Sequence, residues 1–304
     1  MDAPYGQGSC GPSRESELRL GPLRPAARWL TAPARARPTF LVIGAQKSGT
    51  TSLQRYLVQH PAILCPTPKE IHFFDVGYDR GEPWYLAQFP WRTRTLRLHR
   101  SAGVRPAVGE ATPEYLFYPR VPERVQMFDA RLKLVAVLRD PVDRAYSQYH
   151  MQVRKLGETL PFEDVLALEE TELPRELERM REDPAYFSPT RLRRSYVARG
   201  RYAEQIERWL RFFPREQLLV LTTAELLDDP TVVMARISAF LGVPEWQAEE
   251  YPLWSTGTYD SMSAETRERL ARTFEPHNRQ LEKLLRREFE WTRPGALTTT
   301  GSRR

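Results

Sequence analysis

Cysteine is nearly absent: Cys10 and Cys65 are the only two in 304 residues, in neighbourhoods too different to suggest a pair. There is no CxxC and no Cys/His cluster, which argues against a disulfide framework and a structural zinc site and fits a reduced, cytoplasmic protein. Long apolar runs are missing too, and none approaches the roughly 18 residues of a membrane helix. The N-terminus lacks an apolar h-region and carries Asp2, Glu15 and Glu17, so no signal or transit peptide is expected. Lysine is the third scarcity, with only Lys47, Lys69, Lys133, Lys155 and Lys283 among 45 basic residues. An Arg, Ala and Pro surplus of this kind reflects a GC-rich genome, so the arginines say little. A lysine inside a Gly/Ser/Thr loop says more.

What is present fits a sizeable globular domain. Hydrophobic residues make up 41% and aromatics 11%, enough to bury a core. The net charge of +6 suits an anionic ligand but equally suits solubility. The basic residues read as spread out and mixed with acids, so no nucleic-acid surface is expected. Residues 1–37, rich in Pro, Gly, Arg, Ser and Ala, read as a disordered extension with a short helix near Glu15–Leu20. One domain is expected over 38–293, followed by a flexible tail at 294–304.

Strands are predicted where short continuous apolar runs end in turn residues. These are Thr39–Gly44, Leu132–Leu138 and Gln217–Leu221. Helical spacing follows each, over Thr51–Gln59, Ala145–Arg154 and Thr231–Leu241, and Tyr202–Phe213 precedes the last strand. Glu158–Arg181 reads as one or two surface helices broken near Pro174. Ser263–Arg287 reads as amphipathic, with Leu270, Phe274, Leu281, Leu284 and Leu285 inward. The alternation implies an α/β three-layer sandwich: a central parallel sheet with helices on both faces.

Between the first strand and its helix lies Gly44-Ala45-Gln46-Lys47-Ser48-Gly49-Thr50-Thr51. Glycines allow close backbone approach to an anion, and a helix N-terminus offers free N–H groups. A Walker A motif needs Gly-x4-Gly followed by Lys and then Ser or Thr. Here Thr50 stands where that lysine belongs, and Lys47 sits three places earlier inside the loop. This disfavours a triphosphate-magnesium grip.

Lys47-Ser48-Gly49-Thr50-Thr51 with the following helix and His60-Pro61 resembles the 5'-phosphosulfate loop of the sulfotransferases that use 3'-phosphoadenosine 5'-phosphosulfate. Within them it is most similar to the heparan sulfate N- and 3-O-sulfotransferases and related bacterial carbohydrate enzymes. The resemblance implies a P-loop-like fold, with Lys47, Ser48, Gly49, Thr50 and Thr51 on the cofactor. Lys69-Glu70-Ile71-His72-Phe73-Phe74-Asp75 resembles the Glu-x-x-Phe-Phe segment that carries the family's catalytic base, which implies Glu70 as base. His72 and Asp75 match the 3-O version, implying His72 as catalytic and Asp75 at the substrate. Phe73 and Phe74 suggest apolar surroundings that would raise the Glu70 pKa.

Arg139-Asp140-Pro141 through Ser147 is similar to the family's 3'-phosphate site, implying that Arg139 and Ser147 clamp that group. Gly109–Tyr115 resembles the segment lining the acceptor cleft, placing Glu110 and Tyr115 near substrate. Ala111 replaces its usual lysine, which weakens the case for a heparan-like acceptor. Gly200–Ala203, Trp209–Pro214 and Phe274–Leu281 resemble the family's later helices. The Lys-Gly-Arg nucleotide cap is missing, and Trp254–Tyr259 stands about there, making Thr256, Gly257 and Tyr259 cofactor candidates. The reaction implied is sulfuryl transfer to a hydroxyl or amine, on a carbohydrate or glycosylated acceptor, without a metal. Two other readings stay open: a P-loop nucleotide kinase or NTPase, and a non-catalytic nucleotide-binding protein.

Overall fold

The computed structural model describes residues 29–292 except positions 68, 184, 185, 187, 253 and 255–259. Five strands pair throughout in parallel: β1 (Phe40–Gly44), β2 (Ile63–Leu64), β3 (Ala107–Ala111), β4 (Lys133–Leu138) and β5 (Leu218–Thr222). Their order is β2-β3-β1-β4-β5. Around them lie α1 (Thr50–Gln59), α2 (Glu82–Leu86), α3 (Arg92–Ala102), α4 (Val121–Phe128), α5 (Pro141–Leu156) and α6 (Phe162–Glu182). The remaining helices are α7 (Pro189–Arg193), α8 (Tyr202–Leu210), α9 (Thr223–Asp228), α10 (Pro230–Leu241) and α11 (Ala264–Leu285).

The sheet is buried on both faces, and the period of two sorts its side chains between two cores. Leu41, Ile43, Leu134, Ala136 and Leu138 pack with Val121 and Val125 of α4, Ile206 and Trp209 of α8, and Leu281 of α11. Phe40, Val42, Val135 and Val137 face the other way, onto Leu53 and Leu57 of α1 and Val233, Met234 and Ile237 of α10. This is the expected three-layer arrangement. From β1 the chain runs outward to β2 and returns through β3, then crosses β1 to β4 and β5. The order reverses between β1 and β4, so a crevice forms at their carboxyl ends, where open α/β sheets bind ligands.

Two strands escaped prediction. Ala107-Val108-Gly109-Glu110-Ala111 has weak strand propensity, yet β3 is wholly buried. A Cβ on Gly109 would stand 2.5 Å from the Phe40 ring, so glycine allows β3 to lie against β1. Pro174 does not break α6, which runs through it. A proline costs a helix one backbone bond; here Phe162, Val165, Leu166 and Leu173 are buried before it, and Met180 packs against the core after it. Residues 29–37 are not a loose extension either. Trp29–Ala34 forms a 3-10 turn, Ala32 and Ala36 are buried, and the Arg35 guanidinium lies 3.9 Å from the Trp91 ring centroid. The helix expected near Glu15–Leu20 and the 294–304 tail lie outside the described residues.

Candidate active site

The β1–α1 loop meets the carboxyl end of β4, where the Arg139 Nη1 donates to the Lys47 carbonyl at 3.5 Å. Gly44 ends β1 because the Pro113–Leu116 turn covers it: a Cβ there would come within 2.6 Å of Leu116 Cβ. Gly49 has φ +88°, a left-handed position natural to glycine, and leads directly into α1. Among the described residues, the backbone amides of Lys47, Gly49, Thr50 and Thr51 donate to no protein acceptor. They converge at the positive end of a ten-residue helix, which makes an anion cradle. Burial, reinforced by the like charges of Arg154 and Arg139, lowers the Lys47 pKa to about 8.

The second loop, 69–77, crosses the carboxyl end of β3. Its backbone is pinned by Glu70 N to Ala111 O at 3.2 Å and by Phe73 N to the Tyr115 hydroxyl at 3.0 Å. Phe73 stacks on Tyr85 with ring centroids 4.5 Å apart, and Phe74 sits among Tyr85, Tyr115 and Phe128. Arg124 Nη1 caps the turn by donating to the carbonyls of Phe74 and Asp75 at 2.7 and 2.8 Å. The two aromatics thus anchor the loop in the core and leave Glu70 and His72 standing out of it.

Among the described residues, four non-glycine residues have positive φ: Lys47 (70°), Glu70 (66°), His72 (54°) and Arg286 (51°). The last is the C-cap of α11, an ordinary place for such a backbone. The other three are candidate catalytic side chains, and strain of this kind gathers at functional sites. Lys69 joins the two loops. Its Nζ donates to Thr51 Oγ1 at 3.0 Å and Thr50 Oγ1 at 3.4 Å, and lies 3.3 Å from Glu70 Oε1. His72 lies between carboxylates, Nε2 3.5 Å from Glu70 Oε2 and Nδ1 2.7 Å from Asp75 Oδ2.

These partners reverse the pKa expected for Glu70. Burial does push it up, but the hydrogen bond from His72 and the charge of Lys69 outweigh that and hold the carboxyl down at about 2. The aromatics that were to raise it face the core instead. Burial disfavours the His72 imidazolium, yet Asp75 and Glu70 overcome this and raise its pKa to about 10. Glu70 and His72 keep 43% and 37% of their side-chain surface accessible and so open onto the cleft, whereas Asp75 keeps none.

The sulfotransferase domain model matches residues 37–289 of this chain. The chain belongs to the sulfotransferase family. A solved sulfotransferase from Alicyclobacillus acidocaldarius is 37% identical to it and superposes with a TM-score of 0.64 over 85% of this chain and 100% of that one. The human bifunctional heparan sulfate N-deacetylase/N-sulfotransferase 3 is 36% identical over 213 residues, 68% of this chain and 22% of its own length. The human heparan sulfate glucosamine 3-O-sulfotransferase 3B1 is 30% identical over 238 residues, 78% of this chain and 54% of its own. The membrane-associated sulfotransferase kil1 of Dictyostelium discoideum is 28% identical over 319 residues, covering 84% and 66%. The chain therefore spans between 22% and 66% of the length of these curated relatives. Among its described residues, no helix is long and apolar enough to cross a membrane.

The remaining predicted residues of this sulfotransferase-family chain fall into three groups. Arg139 lies against the phosphate loop, its carbonyl accepting from the Tyr202 hydroxyl at 3.0 Å, and buried Ser147 sits two turns into α5. Glu110 and Tyr115 are buried beneath the 69–77 loop, and Asp75 is a buried member of that loop. Burial raises Glu110 to about 7 although Thr112 Oγ1 donates to it at 2.7 Å, and Thr112 in turn accepts from His72 N at 3.4 Å. Thr256, Gly257 and Tyr259 lie outside the described residues. Trp254 just before them is tied to α1, its N–H donating to Ser52 Oγ at 3.1 Å while Arg55 lies over its ring.

Sequence reading passed over Lys69, Thr112 and Tyr202 as site residues. Lys69 carried a usable signal, being one of five lysines and the neighbour of Glu70. Thr112 and Tyr202 carried none, since their roles arise only from contacts across the fold. Asp75 yields a direct test. The His72 pKa lies above the ordinary 6.5, so the stability from its charge is full below 6.5 and is lost as pH rises through about 10. Asp75→Asn removes its shortest partner and is expected to move the His72 titration down towards 6.5. Nitrogen NMR of the imidazole reads this directly. A wild-type His72 already neutral just above neutral pH would refute the clamp.

Proposed function

We propose that this chain transfers a sulfuryl group from 3'-phosphoadenosine 5'-phosphosulfate to a hydroxyl or amine of a carbohydrate acceptor. The observation that carries the reading is the Lys69 bridge, which sets an anion cradle and an ionised carboxylate side by side at one crevice. The donor set suits the cosubstrate. Free amides of Lys47–Thr51 and the Lys47 ammonium would take the 5' end, and Arg139 with Ser147 the 3'-phosphate. The cosubstrate supplies an activated sulfur bonded to a phosphate leaving group.

Glu70 accepts the proton of the acceptor as its oxygen or nitrogen bonds to sulfur. Lys47 would neutralise charge on the bridging oxygen, which takes the electron pair of the broken S–O bond. His72 and Lys69 hold the Glu70 carboxylate in its ionised form and aim it. Positioning and fixed charge do the work, as in phosphoryl transfer. A carbohydrate acceptor is favoured by the relatives' printed activities, and Ala111 at the end of β3 leaves the lysine of glycosaminoglycan enzymes without a counterpart. The kinase reading is disfavoured by Asp140, whose carboxylate caps α5 by accepting from Val142 N at 2.7 Å and Asp143 N at 3.4 Å.

Titration with 3'-phosphoadenosine 5'-phosphate, and separately with ATP and magnesium, tests the proposal. The bisphosphate should bind more tightly. Its affinity should fall as pH rises through about 8, where Lys47 loses its proton in the free protein. Lys47→Arg should abolish that inflection, because a guanidinium stays charged. Tighter binding of ATP would overturn the assignment. A screen of saccharides, lipids and small natural products with labelled cosubstrate then identifies the acceptor.

A further inference from the structure

We propose that the amino end of the sheet, opposite the active-site crevice, docks onto an anionic phospholipid surface. A pocket of about 420 Å³ opens there, between Thr39 just before β1 and Pro106 just before β3. Its polar wall is basic: Arg35, Arg37, Arg92, Arg105 and His99 line it, and no acidic residue does. Arg37 is already engaged with Glu82 at 2.5 Å. Among the described residues, the side chains of Arg92, Arg105 and His99 have no hydrogen-bond or ion-pair partner.

The surrounding surface has the same sign. The chain holds no Asp or Glu between Glu82 and Glu110, yet places Arg92, Arg94, Arg97, Arg100 and Arg105 in that interval. The interval is net positive because acids are absent from it, although over the whole chain basic and acidic residues are mixed. Four of these arginines lie on α3, which has no buried residue among those whose burial is described and touches the core through half-buried Leu98. A helix so exposed and so charged gains little from folding against its own domain.

Apolar side chains on the same face narrow the choice of partner. Trp91 is 44% exposed and Leu96 46%, flanking Arg92 at the start of α3. Trp29 is 47% exposed and Leu30 84%, in the 3-10 turn whose Ala32 and Pro33 line the pocket. Single exposed apolar residues are ordinary, but two tryptophans and two leucines around one basic pocket are not scattered. A soluble polyanion needs only the arginines. A bilayer uses both sets, with lipid phosphates met by guanidinium groups and indole rings seated at headgroup level. The pocket then takes a headgroup, and the crevice at the other end of the sheet stays open to acceptors from solution.

Cosedimentation of the full 304-residue chain with vesicles decides the matter. Binding is expected to phosphatidylcholine vesicles containing phosphatidylglycerol and not to phosphatidylcholine alone. Replacing Arg92, Arg94 and Arg97 together by Glu should weaken it by about 100-fold or more. Trp91→Ser with Leu96→Ser should weaken vesicle binding roughly tenfold while leaving heparin binding unchanged. Far-UV circular dichroism and affinity for 3'-phosphoadenosine 5'-phosphate, bound some strands' length away, report whether each variant is folded. Absence of binding to the anionic vesicles overturns the proposal. So does vesicle binding that the Trp91/Leu96 variant leaves unchanged, which would make this face a site for soluble polyanions.

Discussion

Glu70→Gln should lower kcat by about 10²–10⁴-fold, the range for losing a general base, with little change in nucleotide affinity. The amide keeps the shape of the carboxylate and cannot accept the acceptor's proton. Nucleotide affinity is spared because the cradle is made of Lys47–Thr51 and Arg139, and Glu70 reaches it only through Lys69. The low pKa of about 2 bears on how the base works. Glu70 is ionised and ready at neutral pH, but its charge is spent on His72 and Lys69, so alone it is a weak base. Acceptor binding must displace water and loosen one of those contacts for the proton to move. His72 is the rival base, and its pKa of about 10 makes it an imidazolium at neutral pH, with no lone pair to offer. His72→Ala should therefore cost less than Glu70→Gln. Steady-state rates beside calorimetric nucleotide titrations compare the two, and a larger loss at His72 would exchange their roles.

Much of this candidate site could be picked out from the sequence because its parts are contiguous. The phosphate loop is one run of eight residues, and the base segment is one run of seven. Strand β1 and helix α1 are long and apolar enough to declare themselves. What stayed hidden depends on juxtaposition. Strand β3 contains Gly109 and Glu110 and has only weak propensity for its state; it is a strand because β1 and β2 flank it. The direction of the Glu70 pKa was misread because adjacency in sequence suggested Phe73 and Phe74 as its environment. The fold turns those rings inward and brings Lys69, His72 and, at one remove, Asp75 to the carboxylate. The positive φ angles at Lys47, Glu70 and His72 were equally invisible, since no residue type announces them.

Near the 69–77 loop lies a buried charge cluster whose disruption should be a large stability loss. Glu114 receives Arg199 through two bonds of 2.6 and 2.9 Å and has Arg191 at 3.6 Å, with all three residues buried. Two guanidinium groups thus share one carboxylate; Arg199 Nη2 also donates to the Leu192 carbonyl at 3.2 Å, and the Phe117 ring lies against both groups and Tyr118 against Arg191. Burial lowers the Arg191 pKa, with Glu114 opposing that. Glu114→Ala leaves two uncompensated cations out of water and should cost about 3–5 kcal/mol. At the size of this domain that corresponds to a Tm fall of roughly 10 °C. The residue next to Glu114 is Tyr115, whose hydroxyl positions Phe73 and Phe74, so the rate should fall together with stability. Two further variants separate charge from packing. Glu114→Gln keeps acceptor and shape and should fall between wild type and alanine. Replacing Glu114, Arg191 and Arg199 together by apolar residues of similar volume should recover most of the lost stability, because no charge is left to strand. Calorimetric unfolding of the four proteins checks the order. A Glu114→Ala penalty below about 1 kcal/mol would mean that water reaches these guanidinium groups and that the cluster is no more than a surface ion pair.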